Sequence, residues 1–162
     1  MPSGSGKSYW MKNLQEEKYG KHAFIDSDPL MIAVGAMPPL KGEDFSGGLT
    51  WDNDMETILQ RCDKVTIKCK KLGLWIMGAS WWEAELIDAF VVLPAALNKK
   101  YLEGKRKIGE GFDKGYYEND VVPYINNHIK PSAKEYGIPI FDNIESCATF
   151  VVRADDICKL KF

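Results

Sequence analysis

Apolar residues along the chain gather in short runs separated by polar, glycine-marked turns. His22-Ala23-Phe24-Ile25 is a brief apolar run closed by Asp26-Ser27-Asp28-Pro29, and predicts a strand that ends in an acidic turn. Leu74-Trp75-Ile76-Met77-Gly78-Ala79 is apolar almost without a break, the pattern of a strand covered on both faces. Ala89-Phe90-Val91-Val92-Leu93-Pro94 predicts a further buried strand stopped by its proline, and Ile138-Pro139-Ile140-Phe141-Asp142-Asn143 a last strand and turn. Between these runs the period changes. Met55, Ile58, Leu59, Cys62, Val65 and Cys69 recur near the 3.6-residue repeat of a helix, with Lys68, Lys70 and Lys71 at the end where the dipole favours cations and Gly73 placed to cap it. Tyr9 to Leu14 continues as a helix toward Gly20, Glu83 to Asp88 makes a short helix, and Ala95 to Lys107 a longer one. Residues 116–136 are predicted helical with an interruption around Pro123 or Pro131 and an end at Gly137. Residues 29–54 carry Pro38-Pro39, Gly42, Gly47-Gly48 and Asp52-Asn53 with no sustained period, and read as a long mobile segment. Ser146 to Arg153 suits helix and strand equally.

The candidate chemistry begins at the front. Pro2-Ser3-Gly4-Ser5-Gly6-Lys7-Ser8 matches the second through last positions of the phosphate-binding pattern G-x-x-x-x-G-K-[ST], with Met1 where the first glycine would stand. Small residues and glycines let successive backbone N–H groups curl around a polyphosphate, and the helix that follows adds the positive end of its dipole. In that pattern Ser3, Gly4, Ser5 and Gly6 form the cradle. Lys7 reaches the β and γ phosphates, and the Ser8 hydroxyl ligates Mg²⁺. The bland alternative is a flexible Gly/Ser start with a chance lysine.

The loop, the helix after it, the strand at 22–25 and the Asp26-x-Asp28 pair resemble the phosphate-loop kinases of the nucleoside monophosphate kinase and shikimate/gluconate kinase type. The resemblance implies an α/β fold for one domain spanning 1–162, of the three-layer P-loop NTPase-like kind, with a mainly parallel central sheet flanked by helices. It implies ATP and Mg²⁺ as cofactors. It makes Asp26 a ligand of the magnesium or its water shell, and Asp28 the group that orients or deprotonates the acceptor; a turn or N-cap aspartate before Pro29 is the structural alternative. No aspartate ends the Leu74–Ala79 run, which strengthens Asp26 as the magnesium candidate. Residues 29–54 become an acceptor-binding insertion, with Asp44, Phe45, Trp51 and Asp52 as candidate contacts. Residues 99–115 become a lid in which Arg106, assisted by Lys105 or Lys107, closes over the transferring phosphates, and Asp142 and Asn143 become base contacts. Ser80-Trp81-Trp82-Glu83 follows a strand at the edge where ligands bind in open sheets, so its tryptophans either wall a pocket or pack in the core.

In that fold a buried strand feeds into the loop, and here the loop opens the chain. Three explanations follow: an internal methionine taken as the start, a truncated relative, or replacement of the strand by a later segment such as Ile157-Cys158-Lys159-Leu160-Lys161-Phe162. A gap in a parallel sheet leaves backbone groups unpaired, a penalty of at least several kcal/mol in order of magnitude.

Composition narrows the partners. Lys and Arg number 21 against 23 Asp and Glu, a net charge of −2, which argues against a polyanion-coating surface and leaves phosphate binding local. Cys62, Cys69, Cys147 and Cys158 form no CxxC pair and stand in no zinc spacing with His22 or His128, so reduced thiols are expected. His128 reads as a surface or helical histidine. No apolar run approaches the ~20 residues of a membrane span, and no signal-peptide pattern opens the chain; a cytoplasmic protein is expected. The functional expectation is Mg-ATP-dependent phosphoryl transfer to a small acceptor, a nucleoside monophosphate ahead of a hydroxylated metabolite. A polynucleotide 5′-hydroxyl kinase and a truncated, non-catalytic nucleotide-binding protein are the alternatives.

Overall fold

The structure is a computed structural model that describes residues 1–14, 16–37, 47–78, 84–109 and 112–159. Strands β1 (Ala23–Asp26) and β2 (Leu74–Met77) pair in parallel, with Ala23 opposite Leu74 and Asp26 opposite Met77. Strands β3 (Phe90–Val91) and β4 (Ile140–Phe141) form a second parallel pair. Parallel neighbours need a crossover between them. Helices α2 (Ser27–Ala33) and α3 (Trp51–Lys71) lie between β1 and β2; α4 (Ala95–Lys107) and a long helical run lie between β3 and β4. Among the described residues the strands therefore stand as two pairs, where the resemblance implies one continuous sheet.

Side chains leave a strand on alternate faces, and that alternation builds the layers. Phe24, Trp75, Met77 and Val91 point to one side, where they pack with Ile144, Cys147, Ala148, Val151 and Val152 of α7 (Ile144–Lys159) and with Trp10 and Met11 of α1 (Lys7–Lys12). On the other side Ile76 meets Leu30 and Met31 of α2 and Ile58 and Cys62 of α3. Phe90 meets Leu102 of α4 and Val121, Ile125 and Ile129 of the helical run. Both strand pairs thus rest on one floor, α7.

That floor includes the stretch that could be assigned to neither helix nor strand. Ile144, Cys147, Ala148, Val151 and Val152 are buried at three- and four-residue spacing, so tertiary packing of one stripe overrides the weak helix propensity of the valines. Ile157, Cys158 and Lys159 continue the same helix, so these three residues do not fill a strand position; 160–162 lie outside the described residues.

Helix α2 starts earlier than the sequence pattern predicts. Asp26 accepts the Asp28 N–H at 3.0 Å as its N-cap, and Pro29 falls in the first turn, where a missing N–H costs no hydrogen bond. The expected irregular segment therefore begins with a helix at 27–33 and ends in the first turn of α3; residues 38–46 lie outside the described residues.

The run from 117 to 136 keeps going through both prolines by widening. A π-helical turn, Tyr117–Val121, leads to α5 (Val122–Tyr124); a second, Ile125–Ile129, leads to α6 (Lys130–Tyr136). Pro123 and Pro131 have no N–H for the carbonyl four residues back and crowd it, and the i→i+5 pattern around them relieves both problems. Gly137, at φ 65°, ends the run in a left-handed cap. Among the described residues no helix is long and apolar enough to cross a membrane.

The α-ammonium of Met1 is packed against this core and donates to the Gly78 carbonyl at 3.0 Å. Burial pulls its pKa down from 8.0 to about 6. The unfolded chain therefore binds the proton more tightly than the folded one. Stability should rise as pH climbs from 6 to 8, by roughly 2.7 kcal/mol at most, and this group adds no slope outside that window. Urea unfolding at closely spaced pH values checks this: acetylating Met1 should flatten the slope, and an identical slope in both forms contradicts it.

Candidate functional site

The amino-terminal turn is an ordered structure. Gly4 at φ 74° and Gly6 at φ 78° both occupy the left-handed region that other residues enter only with strain. Gly4 is also pressed against α4, where an added Cβ would lie 2.6 Å from Leu102 Cγ and 3.0 Å from Asn98 Oδ1. At Gly6 it would lie 3.0 Å from Tyr101 Cε2. Asn98, buried to 1% exposure, donates through Nδ2 to the Ser3 carbonyl at 3.2 Å, and Ser5 Oγ donates to the Pro2 carbonyl at 2.5 Å. Three side chains of one helix face thus back the turn from below.

Gly6 is the N-cap of α1, so the turn delivers Lys7 directly onto a helix. Lys7 Nζ lies 2.5 Å from Asp26 Oδ1 and 3.4 Å from Asp28 Oδ1. Asp26 is held from two directions, as the last residue of β1 and as the cap of α2, and its Oδ1 accepts from both Lys7 and the Asp28 amide. The Lys7 side chain is only 15% exposed, while that of Asp28 is 61% exposed and lies at the solvent side of the cluster. One ammonium between two carboxylates leaves a local excess of negative charge.

Lys7, Asp26 and Asp28 are thereby brought together, next to Ser3, Gly4, Ser5 and Gly6. Ser8 follows in the first turn of α1, exposed. Arg106 sits elsewhere, exposed in the last turn of α4, and the Lys7, Asp26 and Asp28 ion pairs do not involve it. Residues 99–107 of the expected lid are the second half of α4. Lys105 Nζ lies 5.6 Å over the Phe112 ring and Lys107 pairs with Glu103 at 3.1 Å. Trp51 and Asp52 are exposed in the first turn of α3. Asn143 acts at the start of α7, its Oδ1 accepting from the Ser146 N–H at 2.7 Å and its Nδ2 donating to Asp142 at 2.8 Å. Asp44 and Phe45, and Ser80, Trp81, Trp82 and Glu83, lie outside the described residues.

Asp26, Asp28 and Ser8 carry oxygens, the hard donors that Mg²⁺ takes, and Asp26 Oδ1 is engaged by Lys7. A His22, Asp155, Asp156 group is also compact, but its imidazole is already committed. Trp75 Nε1 donates to His22 Nδ1 at 3.4 Å, which places the ring proton on Nε2, 3.1 Å from Asp156 Oδ1. With its acceptor nitrogen occupied, His22 ties the start of β1 to the end of α7 instead of holding a metal.

Beside the turn lies a cleft of about 420 Å³ lined by Pro2, Ser3, Tyr116, Asn119, Tyr124 and His128. The Tyr124 and His128 rings stand 5.4 Å apart, and burial pushes the Tyr124 phenol up from its ordinary pKa. Sequence reasoning missed this cleft and the supporting role of Asn98, Tyr101 and Leu102. The available signal for the latter was the spacing of 98, 101 and 102, which puts them on one helical face. No protein-family model, curated protein or solved structure matches the chain.

The close packing of α4 under the turn predicts a contrast between glycines. Gly4→Ala combines a left-handed φ with a collision and should cost about 2 kcal/mol or more. Gly47→Ala, where a Cβ meets nothing within 4 Å, should change stability little. Denaturant unfolding of both variants checks this, and equal effects would contradict the turn geometry.

Proposed function

We propose that the chain is a Mg-ATP-dependent phosphotransferase acting on a small acceptor, a nucleoside monophosphate for preference. The observation that carries this reading is the meeting of Lys7 with Asp26 and Asp28 at the mouth of a turn bent by two left-handed glycines. Phosphoryl transfer asks for charge neutralisation and alignment more than for covalent chemistry, and these are what such a cluster supplies.

Each residue then has a physical task. The backbone amides of Ser3 to Ser8 offer donors to phosphate oxygens, since first-turn N–H groups have no acceptor within their own helix. Lys7 exchanges its carboxylate partners for phosphate oxygens and neutralises charge that grows as the terminal phosphoryl group departs from ADP. Asp26 and Ser8 would hold Mg²⁺, which when bound screens the phosphate charges. Asp28, the more exposed carboxylate, is positioned to orient the acceptor or take its proton. Arg106, one turn beyond Leu102 on α4 and apart from the Lys7–Asp26–Asp28 cluster, takes no part in this arrangement. The cleft beside Pro2 and Ser3 offers ring faces in Tyr116, Tyr124 and His128, suited to stacking on a base. That supports a nucleotide over a sugar-like alcohol.

An ADP-release assay with mononucleotides and sugar-like alcohols as acceptors tests the reading. A mononucleotide should be preferred, and Lys7→Ala should lower kcat by about 10²-fold or more. At about one hundred times its Kd, Mg-ATP should stabilise the chain by roughly 2.7 kcal/mol in a thermal scan, an effect that Lys7→Ala removes. Equal turnover or equal protection in wild type and variant rejects the phosphate-binding assignment; full turnover in Asp28→Asn rejects that residue's role.

A further inference from the structure

The helical run from 117 to 136 carries rows of side chains at a spacing of four residues. In an α-helix a residue four positions on overshoots the full turn by about 40°. A π-turn, closed by an i→i+5 bond, takes more than four residues, so the same step falls short. Two π-turns, Tyr117–Val121 and Ile125–Ile129, alternate with α5, and the two drifts offset each other. The core side shows the result: Val121, Ile125 and Ile129, four apart, are all buried in one cluster.

Two further rows at that spacing line the cleft beside the amino-terminal turn. Tyr116, Asp120, Tyr124 and His128 make one, Asn119, Pro123 and Asn127 the other, and Pro2 and Ser3 of the turn line it as well. An unbroken α-helix would carry such rows around its axis and out of the cleft; the π-turns keep them in it. The volume of about 420 Å³ is that of a small-molecule site, for which about 300–1,000 Å³ is usual.

The chemistry of this lining is selective. Among the described residues no lysine or arginine lines the cleft, while Asp120 brings a carboxylate into it. A phosphate is repelled there, so the cleft suits the uncharged end of a ligand. Tyr116, Tyr124 and His128 offer ring faces to a planar group. A carboxylate has acceptors only, two oxygens side by side, and two parallel N–H donors satisfy it best. The carboxamides of Asn119 and Asn127 add donors. Among the common nucleobases guanine carries two adjacent donors on one edge, N1–H and N2–H₂, with its O6 and N7 acceptors next to them. Adenine and cytosine each set a ring-nitrogen lone pair beside their amine, which a carboxylate repels. Thymine and uracil have one N–H between two carbonyls.

We propose that this cleft selects guanine: Asp120 accepts from N1–H and N2–H₂, the Tyr124 and His128 rings, 5.4 Å apart, carry the face of the base, and the row of Asn119 and Asn127 supplies the donor for O6. The phosphoryl acceptor is then a guanosine nucleotide, its base in the cleft and its phosphate end leading past Pro2 and Ser3 toward Lys7. Its role as acceptor rests on the phosphotransferase reading above. The choice of base rests on the cleft alone.

Equilibrium binding of nucleosides, which have no phosphate, tests the base without the phosphate site. Wild type should hold guanosine about tenfold or more tighter than inosine, which lacks the N2 amine, and tighter than adenosine by at least as much. Asp120→Asn keeps the shape but offers one acceptor and one donor. It should lose the preference for guanosine over inosine and bind xanthosine, whose carbonyl replaces the amine, about tenfold better than wild type does. Lys7→Ala should bind guanosine as wild type does while losing protection by Mg-ATP. Equal affinity for guanosine, inosine and adenosine, or no binding of any of them at millimolar concentration, overturns the proposal, as does a guanosine preference that survives in Asp120→Asn. If Mg-ATP protects a chain that does not select guanosine, this inference fails and the phosphate reading stands; guanosine selection without Mg-ATP protection is the reverse case.

Discussion

The contact on which the site depends is the ion pair between Lys7 and Asp26. It ties the amino-terminal turn to the end of β1, and because Asp26 also caps α2, one carboxylate fixes the relative positions of a turn, a strand and a helix. The pair is partly sheltered from solvent, where charge-assisted hydrogen bonds are worth roughly 1.5–3 kcal/mol, more than a surface pair contributes. In the proposed reading, phosphate oxygens would offer Lys7 the same kind of partner that it already has. Removing Lys7 leaves the Asp26 and Asp28 carboxylates without the ammonium between them, so its loss acts on stability.

The second constraint is the shared floor. Cys147, Ala148, Val151 and Val152 of α7 receive Phe24 and Met77 from one strand pair and Val91 from the other. Among the described residues, the hydrophobic floor holds the strand pairs side by side with no backbone ladder joining them. Burial drives the Cys147 thiol up to about 11, so it packs as a small apolar group. The carboxyl ends of β1 and β2 meet the amino-terminal segment, Asp26 through Lys7 and Gly78 through Met1. The site follows from this layout, with β1 ending at Asp26 beside the turn and a helix beneath the strands.

Much of the framework was legible because it depends on local pattern. The apolar runs at 22–25, 74–79 and 89–94 contain the buried strand residues Phe24, Met77 and Val91, and the Met55–Cys69 repeat places Ile58, Cys62 and Cys69 inward on α3. Lys7, Asp26 and Asp28 could be singled out because motif spacing and a strand-end position are sequence properties. What pattern could not supply was packing at a distance. Asn98 looks like any polar helix residue until Ser3, 95 positions away, is seen above it. Helix or strand for 146–153 is undecidable from valines and a phenylalanine alone, since only contact with both strand pairs selects the helical stripe. The early start of α2 turns on whether Asp26 or Asp28 caps it, and the backbone geometry at Asp26, φ −73° and ψ 145°, decides that.

The most direct test of the account is an amide NMR titration with a non-hydrolysable Mg-ATP analogue. The account predicts that the largest shifts fall on Gly4, Ser5, Gly6, Lys7 and Ser8, with smaller ones at Asp26 and Asp28 as the ion pair opens. Shifts scattered over other surfaces, with those seven amides unmoved at saturating ligand, would contradict it.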